Sequence, residues 1–195
     1  MDTKLMFPVP LWCKQVNFDD KTIKDIKDLC IEMSKKITGR VISNRGGYQS
    51  NDISKELFKK YPFNLIYKTI YETIVELTKE LNIDERACLT LSNSWININS
   101  RGDYNVSHNH TRSIFSGILY ISSCNEKQGV IFENPHPVEQ YYLNNITSVD
   151  TILSSRSYRI SSQPGMMYVF PSWIMHQVPP YEGNDQRITI AFNIR

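Results

Sequence analysis

No CxxC pair, no glycine-rich phosphate loop, no basic run and no apolar stretch of membrane length occurs in this 195-residue chain. Each absence excludes something. Without GxGxxG or GxxxxGK[ST], and with Gly46-Gly47 the only adjacent glycines among eight, a dinucleotide- or nucleotide-phosphate cradle has no sequence basis. With 22 Lys+Arg against 20 Asp+Glu and no arginine–aromatic stripe, the +2 balance gives nucleic acid nothing to follow. No run approaches the ~20 apolar residues of a membrane-spanning helix. The four cysteines, Cys13, Cys30, Cys88 and Cys124, are scattered. With Asp2 and Lys4 at the start in place of a signal-like segment, they are expected to be reduced thiols of a cytoplasmic protein. At 41% hydrophobic and 22% charged residues the composition is that of a globular chain, and its length suits one domain.

Two kinds of periodicity divide the chain. From Asp20, Ile23, Ile26, Cys30 (or Leu29), Met33 and Ile37 recur at helical spacing, with Asp19 or Asp20 as cap and Gly39 as stop. Asn44 to Asn51 reads as a turn or surface loop, and Ser54 to Lys60 as a short helix. After Pro62 a second helix presents Ile66, Ile70, Ile74, Leu77 and Leu81, joined by Tyr67 and Tyr71. Beyond Leu89 the period shortens to that of strands. Leu91 to Asn97, Ile114–Ser122, Gly129–Phe132, Thr147–Leu153, Tyr158–Ser161, Met166–Phe170, His176–Val178 and Arg187–Ile194 are strand candidates, punctuated by Gly, Asn, Pro and Ser. Many short strands at this spacing favour an antiparallel barrel or jelly roll, with residues 1–88 as mainly helical support and 89–195 as the β core.

Histidine is scarce, and three of the four can meet. His108 and His110 bracket one residue, so an extended backbone turns both imidazoles to one side. His176, on a later strand, completes one face of a metal's coordination sphere and leaves the opposite positions open. Such a set suits Fe(II) and can also hold Mn, Ni, Co, Cu or Zn. Asn93, Asn97, Asn109 and Ser113 are available to orient the rings, whereas His136, between two prolines, reads as a loop residue. In RITIAFNIR, alternation puts Arg187, Thr189 and Ala191 on one face. An inward guanidinium needs an anion and Thr189 can add a hydroxyl, so the pair suits a small dicarboxylate that also chelates the metal. The competing reading leaves Arg187 at the surface beside Asp185 or Glu182.

Taken together, NSWININSRGDYNVSHNHTRSIFSGILYIS, PGMMYVFPSWIMHQVPPY and QRITIAFNIR resemble the 2-oxoglutarate/Fe(II)-dependent oxygenase superfamily over about 91–195. The nearest resemblance is to its small members from marine bacteria and cyanophages. It implies a double-stranded β-helix (jelly roll) flanked by N-terminal helices. It also implies Fe(II) on His108, His110 and His176, and 2-oxoglutarate held by Arg187, Thr189 and, additionally, Tyr120. The usual ligand two residues after the first histidine is a carboxylate; here it is His110. The implied activity is a dioxygenase hydroxylating a peptidyl or free amino acid. From the composition, no nucleic-acid or membrane partner is expected and the setting is cytoplasmic (a host's, if phage-encoded), while the amphipathic helical face offers a surface for a homodimer. Two other classes stay open: a cupin-like three-histidine metalloenzyme without 2-oxoglutarate, and a non-catalytic β-barrel binding module. Ser113-Ile-Phe-Ser116 stands where cupins carry a glutamate.

Overall fold

The computed structural model describes residues 2, 4, 7–84, 86–136 and 154–195. In chain order the elements are β1 (Trp12–Gln15), α1 (Asp20–Lys36), β2 (Asn44–Arg45), β3 (Tyr48–Gln49), a 3-10 turn (Leu57–Lys59) and α2 (Phe63–Glu80). There follow β4 (Leu91–Asn99), β5 (Tyr104–His108), β6 (Phe115–Ser122), β7 (Ile131–Glu133), β8 (Ser157–Arg159), β9 (Met166–Pro171), β10 (His176–Val178) and β11 (Arg187–Ile194). They form two antiparallel sheets, β1-β9-β6-β11-β4-β3 and β2-β5-β10-β7-β8, which face each other as a jelly roll with helices on the outside of the larger sheet.

The helices form where the periodicity placed them, and their caps explain their ends. Asp19 accepts from the Thr22 amide at 2.7 Å, and α1 stops at Lys36, where Ile37 turns extended two residues before Gly39. In α2, Ile66 and Ile70 are fully buried, each contributing about 1.5–3 kcal/mol. Tyr67, Tyr71 and Leu81 are exposed, and Thr69 and Thr73 take the inner face instead. Their hydroxyls donate to the carbonyls of Leu65 and Thr69, both at 2.9 Å, so the polar atoms are satisfied inside the stripe.

Every residue of β6 and β11 is buried, because the larger sheet is covered on both faces. On β11 the alternation is strict: Ile188, Ile190, Phe192 and Ile194 join the core under the helices, while Arg187, Thr189, Ala191 and Asn193 face the gap between the sheets. A smaller apolar cluster, including Tyr120, Phe132, Tyr168 and Phe170, fills one end of that gap and leaves the other hollow.

The first 88 residues add strands as well as helices. β1 extends the larger sheet by pairing with β9. The segment expected to be a surface loop, Asn44 to Asn51, instead carries β2 and β3, which pair with β5 and β4 in opposite sheets. Two-residue strands leave almost no alternation to read, and Gly46 and Gly47, with φ of 69° and 64°, supply the bend that carries the chain from one sheet to the other. Ser54 to Lys60 contracts to the 3-10 turn. The strand candidate Thr147–Leu153 lies outside the described residues.

Candidate metal centre and anion-binding pocket

The sheets leave between them a cavity of about 370 Å³, lined at one part by His108, His110 and His176 and at another by Arg187, Thr189 and Tyr120. His108 ends β5 and His176 begins β10, and the antiparallel register sets them directly opposite. His110 arrives differently from expected: β5 ends at His108 and the chain turns. The His110 amide donates to the Ser172 carbonyl at 2.8 Å, which fastens that turn to the loop between β9 and β10. The three rings still converge, with centroids 4.4 Å (His108–His176), 5.2 Å (His108–His110) and 5.2 Å (His110–His176) apart. One nitrogen from each lies within 4.8 Å of the others. Imidazole nitrogens sharing one ion at about 2.1 Å sit roughly 3 Å apart, so small side-chain rotations close the cluster on a metal.

The tautomers are set for ligation. Nδ1 of His108 donates to the Val106 carbonyl at 2.8 Å, and Nδ1 of His176 to the Ile174 carbonyl at 3.0 Å, which makes each Nε2 the lone-pair nitrogen. The Ser43 hydroxyl, 3.4 Å from His108 Nε2, also accepts from Asn105 Nδ2 at 3.0 Å. Backbone carbonyls thus orient the His108 and His176 rings, a part for which Asn93, Asn97, Asn109 and Ser113 were also available in the sequence. Asn97 Nδ2 donates instead to Thr189 Oγ1, Asn93 Nδ2 to Asp52, and Asn109 Nδ2 to the Trp173 carbonyl. Burial, then the neighbouring imidazoles, holds His110 down to about 4 and His176 down to about 3, and burial lowers His108. All three are therefore neutral near pH 7, the state a metal requires. Phe132 and Phe170 pack around His176, with ring centroids 5.9 and 5.0 Å away, and screen it from water. Trp95 stands 5.8 Å from His110 in the cavity wall, whereas Trp173 and Tyr104 are exposed and Tyr168 packs behind Tyr120. His136 is exposed in a loop.

Arg187 is 1% exposed, and among the described residues no carboxylate lies within ion-pair distance of it. The surface pairing with Asp185 or Glu182 does not form. Its Nη1 donates to the Gln128 carbonyl at 2.7 Å and its Nη2 to Asn99 Oδ1 at 3.3 Å, while the guanidinium lies 4.9 Å from the centroid of the Tyr181 ring. Two of five N–H groups are used, both on neutral acceptors, and the carboxylate that acts on Arg187, that of Asp103, does so only from beyond ion-pair distance. Thr189 stands in register between Asn97 and Tyr120. The Tyr120 hydroxyl accepts from the Val130 amide at 3.1 Å, and burial pushes its pKa up to about 12, so it keeps a proton to donate. Sequence reasoning missed Asn99, Gln128 and Tyr181, the supports of the guanidinium. Alternation along β4 carried the signal for Asn99, on the same face as Trp95 and Asn97. The sequence offers Tyr181, in PPYEGNDQ, only as part of a substrate-facing lip or a plain surface turn; it is instead buried, its hydroxyl donating to Asp185 at 2.5 Å.

The profile of the family described as "Putative 2OG-Fe(II) oxygenase" matches residues 93–193, more than half of the chain and the whole stretch from β4 through most of β11. The chain belongs to the 2-oxoglutarate/Fe(II) oxygenases. Its three-imidazole cluster is the facial triad of that fold in all-histidine form. No curated protein matches the sequence significantly. Among solved structures, a prolyl-4-hydroxylase of Pseudomonas putida is similar over 96% of this chain and 92% of its own, with a TM-score of 0.68 and 10% identity. A viral collagen prolyl hydroxylase from Paramecium bursaria Chlorella virus-1, in complex with 2-oxoglutarate, matches over 95% of both chains (TM-score 0.61, 12% identity). The carbocyclase SnoK from nogalamycin biosynthesis matches over 95% of this chain and 79% of its own (TM-score 0.64, 8% identity). At such identities the likeness speaks for the fold.

Proposed function

We propose that this oxygenase is a 2-oxoglutarate- and Fe(II)-dependent dioxygenase that hydroxylates an unactivated C–H bond of a peptidyl or free amino acid. The observation that carries the reading is Arg187, a buried guanidinium without a carboxylate partner that shares one cavity with three neutral, convergent imidazoles. In this reading His108, His110 and His176 hold the iron, and Arg187, Thr189 and Tyr120 receive the far carboxylate of 2-oxoglutarate. Iron and 2-oxoglutarate, when bound, supply the oxidising chemistry, with succinate and CO2 as coproducts. The protein supplies the rest. The Val106 and Ile174 carbonyls fix two ligand rings, Asn99 and Gln128 aim the guanidinium, and the aromatic packing around His176 keeps water from the reacting centre. With neutral His110 in place of a carboxylate, the ligand set lacks one negative charge, so the metal-loaded unit would be more positive by one, which weakens the hold on a cation and strengthens the attraction for a dianion. The quoted C-terminal segments support a place near the small oxygenases of marine bacteria and cyanophages. The reading treats 1–195 as one domain, with 1–88 supporting the jelly roll, that works in the cytoplasm and pairs as a homodimer through the helical face. Among the described residues no helix is long and apolar enough to cross a membrane. Incubation with Fe(II), ascorbate and 2-oxoglutarate tests the assignment: succinate is expected to form, and neither succinate nor metal-dependent 2-oxoglutarate binding would be found if it is wrong. Metal binding alone would point to the cupin-like class.

A further inference from the structure

The cavity is lined, among the described residues, by two guanidinium groups and three imidazoles but by no carboxylate and no lysine. One guanidinium, that of Arg40, is paired on one side, while its Nε is buried without an acceptor. Arg40 Nη2 donates to Asp52 Oδ1 at 2.7 Å, and Asp52 also accepts from Asn93, which accepts in turn from Asn193 at 3.1 Å. Asn193 accepts from Ser116 at 2.8 Å, so a continuous chain of hydrogen bonds anchors the Arg40–Asp52 pair at the cavity wall. The other guanidinium, Arg187, is assigned to 2-oxoglutarate under the function proposed above, on which this inference rests. What remains for a substrate is a wall of neutral carboxamides.

Gln49 is the unusual member of that wall. It is 5% exposed, lines the cavity and makes no side-chain hydrogen bond, and its Oε1 is buried without a donor. Its register partner on β4 is Asn97, whose Nδ2 reaches Thr189 Oγ1 at 3.4 Å and whose Oδ1 has no donor. Native proteins leave few buried polar groups unmet, and a carboxamide left so in a cavity wall can turn to meet a ligand's N–H. Neighbouring carboxamides with open donor and acceptor positions complement the C=O and N–H of a peptide group. A free amino acid, by contrast, brings an α-ammonium that no carboxylate in the cavity would receive, and burying an unpaired ammonium is strongly disfavoured. Val41, Ile42 and Trp173 are exposed apolar residues in the cavity wall or next to it in sequence or contact. Ile42 lines the cavity itself, and the Trp173 carbonyl accepts from Asn109, next to His110. These apolar groups suit side chains flanking the residue to be oxidised.

We infer that the substrate is a polypeptide segment rather than a free amino acid, with one backbone amide received by Gln49 and Asn97. The test uses the full chain loaded with Mn(II) and 2-oxoglutarate. It is titrated with blocked peptides N-acetyl-Gly-Xaa-Gly-amide, Xaa being each common residue, and with the corresponding free amino acids. At least one blocked peptide is expected to bind, about tenfold or more tighter than the free amino acid of the same side chain. Gln49→Leu should weaken that peptide about three- to tenfold, as loss of one neutral hydrogen bond does. Gln49→Glu, similar in shape but bringing a carboxylate, should shift the preference towards the free amino acid, a change that a purely structural Gln49 would not produce. Free amino acids binding as tightly as blocked peptides, no blocked peptide binding at all, or an unchanged preference in both variants would each overturn the inference. Binding of 2-oxoglutarate to the Mn(II) protein is read first. If that fails, the oxygenase assignment is what falls; if it holds and the peptides fail, only the amide subsite does.

Discussion

Replacing Arg187 by methionine should separate two quantities that usually move together, the stability of the metal-free protein and its affinity for 2-oxoglutarate. The guanidinium is 1% exposed and makes two hydrogen bonds, to the Gln128 carbonyl and to Asn99. Methionine removes both bonds, a loss of about 1.5–3 kcal/mol each for a charged donor, but it also removes a desolvated charge that costs several kcal/mol to bury. These terms oppose, and the net change in stability of the metal-free protein should stay within about 2 kcal/mol of zero. Binding of 2-oxoglutarate has no such compensation. Deleting one partner of a buried, hydrogen-bonded charge pair costs about 2–4 kcal/mol, which raises Kd roughly 30- to 900-fold. Arg187→Lys should fall between, keeping the charge but losing the planar fork. Anaerobic calorimetry of the Mn(II) protein with 2-oxoglutarate, beside thermal unfolding of the metal-free variants, measures both. A Kd within threefold of wild type would refute the anion-receptor role. So would a collapse in melting temperature, which would make Arg187 a pillar of the fold.

Three further outcomes follow from the site. His108→Ala and His176→Ala should each abolish stoichiometric Mn(II) binding, and His110→Ala should weaken it at least about tenfold; undiminished affinity in the last would remove His110 from the ligand set. The metal-free protein should lose stability as pH falls below about 6.5, the unfolded imidazole value. Burial holds His110 at about 4 and His176 at about 3 in the fold, so in that window the unfolded chain binds more protons. Urea unfolding across pH should show this loss continuing towards pH 4 and reduced in His110→Gln, whereas a flat profile would contradict it. Tyr120→Phe should weaken 2-oxoglutarate binding about tenfold or more by removing a donor to a carboxylate. It should also lower stability by about 1–3 kcal/mol, because the Val130 amide loses its acceptor; calorimetry and thermal melting on one sample read both effects.

The parts of the site legible in the sequence are those written in strand alternation. Arg187, Thr189 and Ala191 fall on one face because β11 is long and regular, and β4 and β6 were readable for the same reason. His108 and His176 could be paired in advance because scarce histidines at strand ends have few other uses. His110 was placed by a different cause than spacing: it lies beyond the strand, and its amide bond to Ser172 returns it to the cluster. That contact is long-range, and a local period carries no trace of it. The same holds for β1, β2 and β3, too short to show a repeat, and for Gln49, whose significance appears only once β3 lies against β4. In α2 hydropathy favoured Tyr67 and Tyr71 over Thr69 and Thr73. Packing against the sheet selected the smaller residues, whose hydroxyls the helix itself can satisfy.

Three imidazoles and one guanidinium are proposed to serve a single ternary site, which anaerobic equilibrium dialysis of Mn(II) and labelled 2-oxoglutarate against the wild-type protein tests most directly. One metal per chain is expected, with 2-oxoglutarate retained only when that metal is present. Retention of 2-oxoglutarate to the same extent without metal, or no metal bound at all, would contradict it.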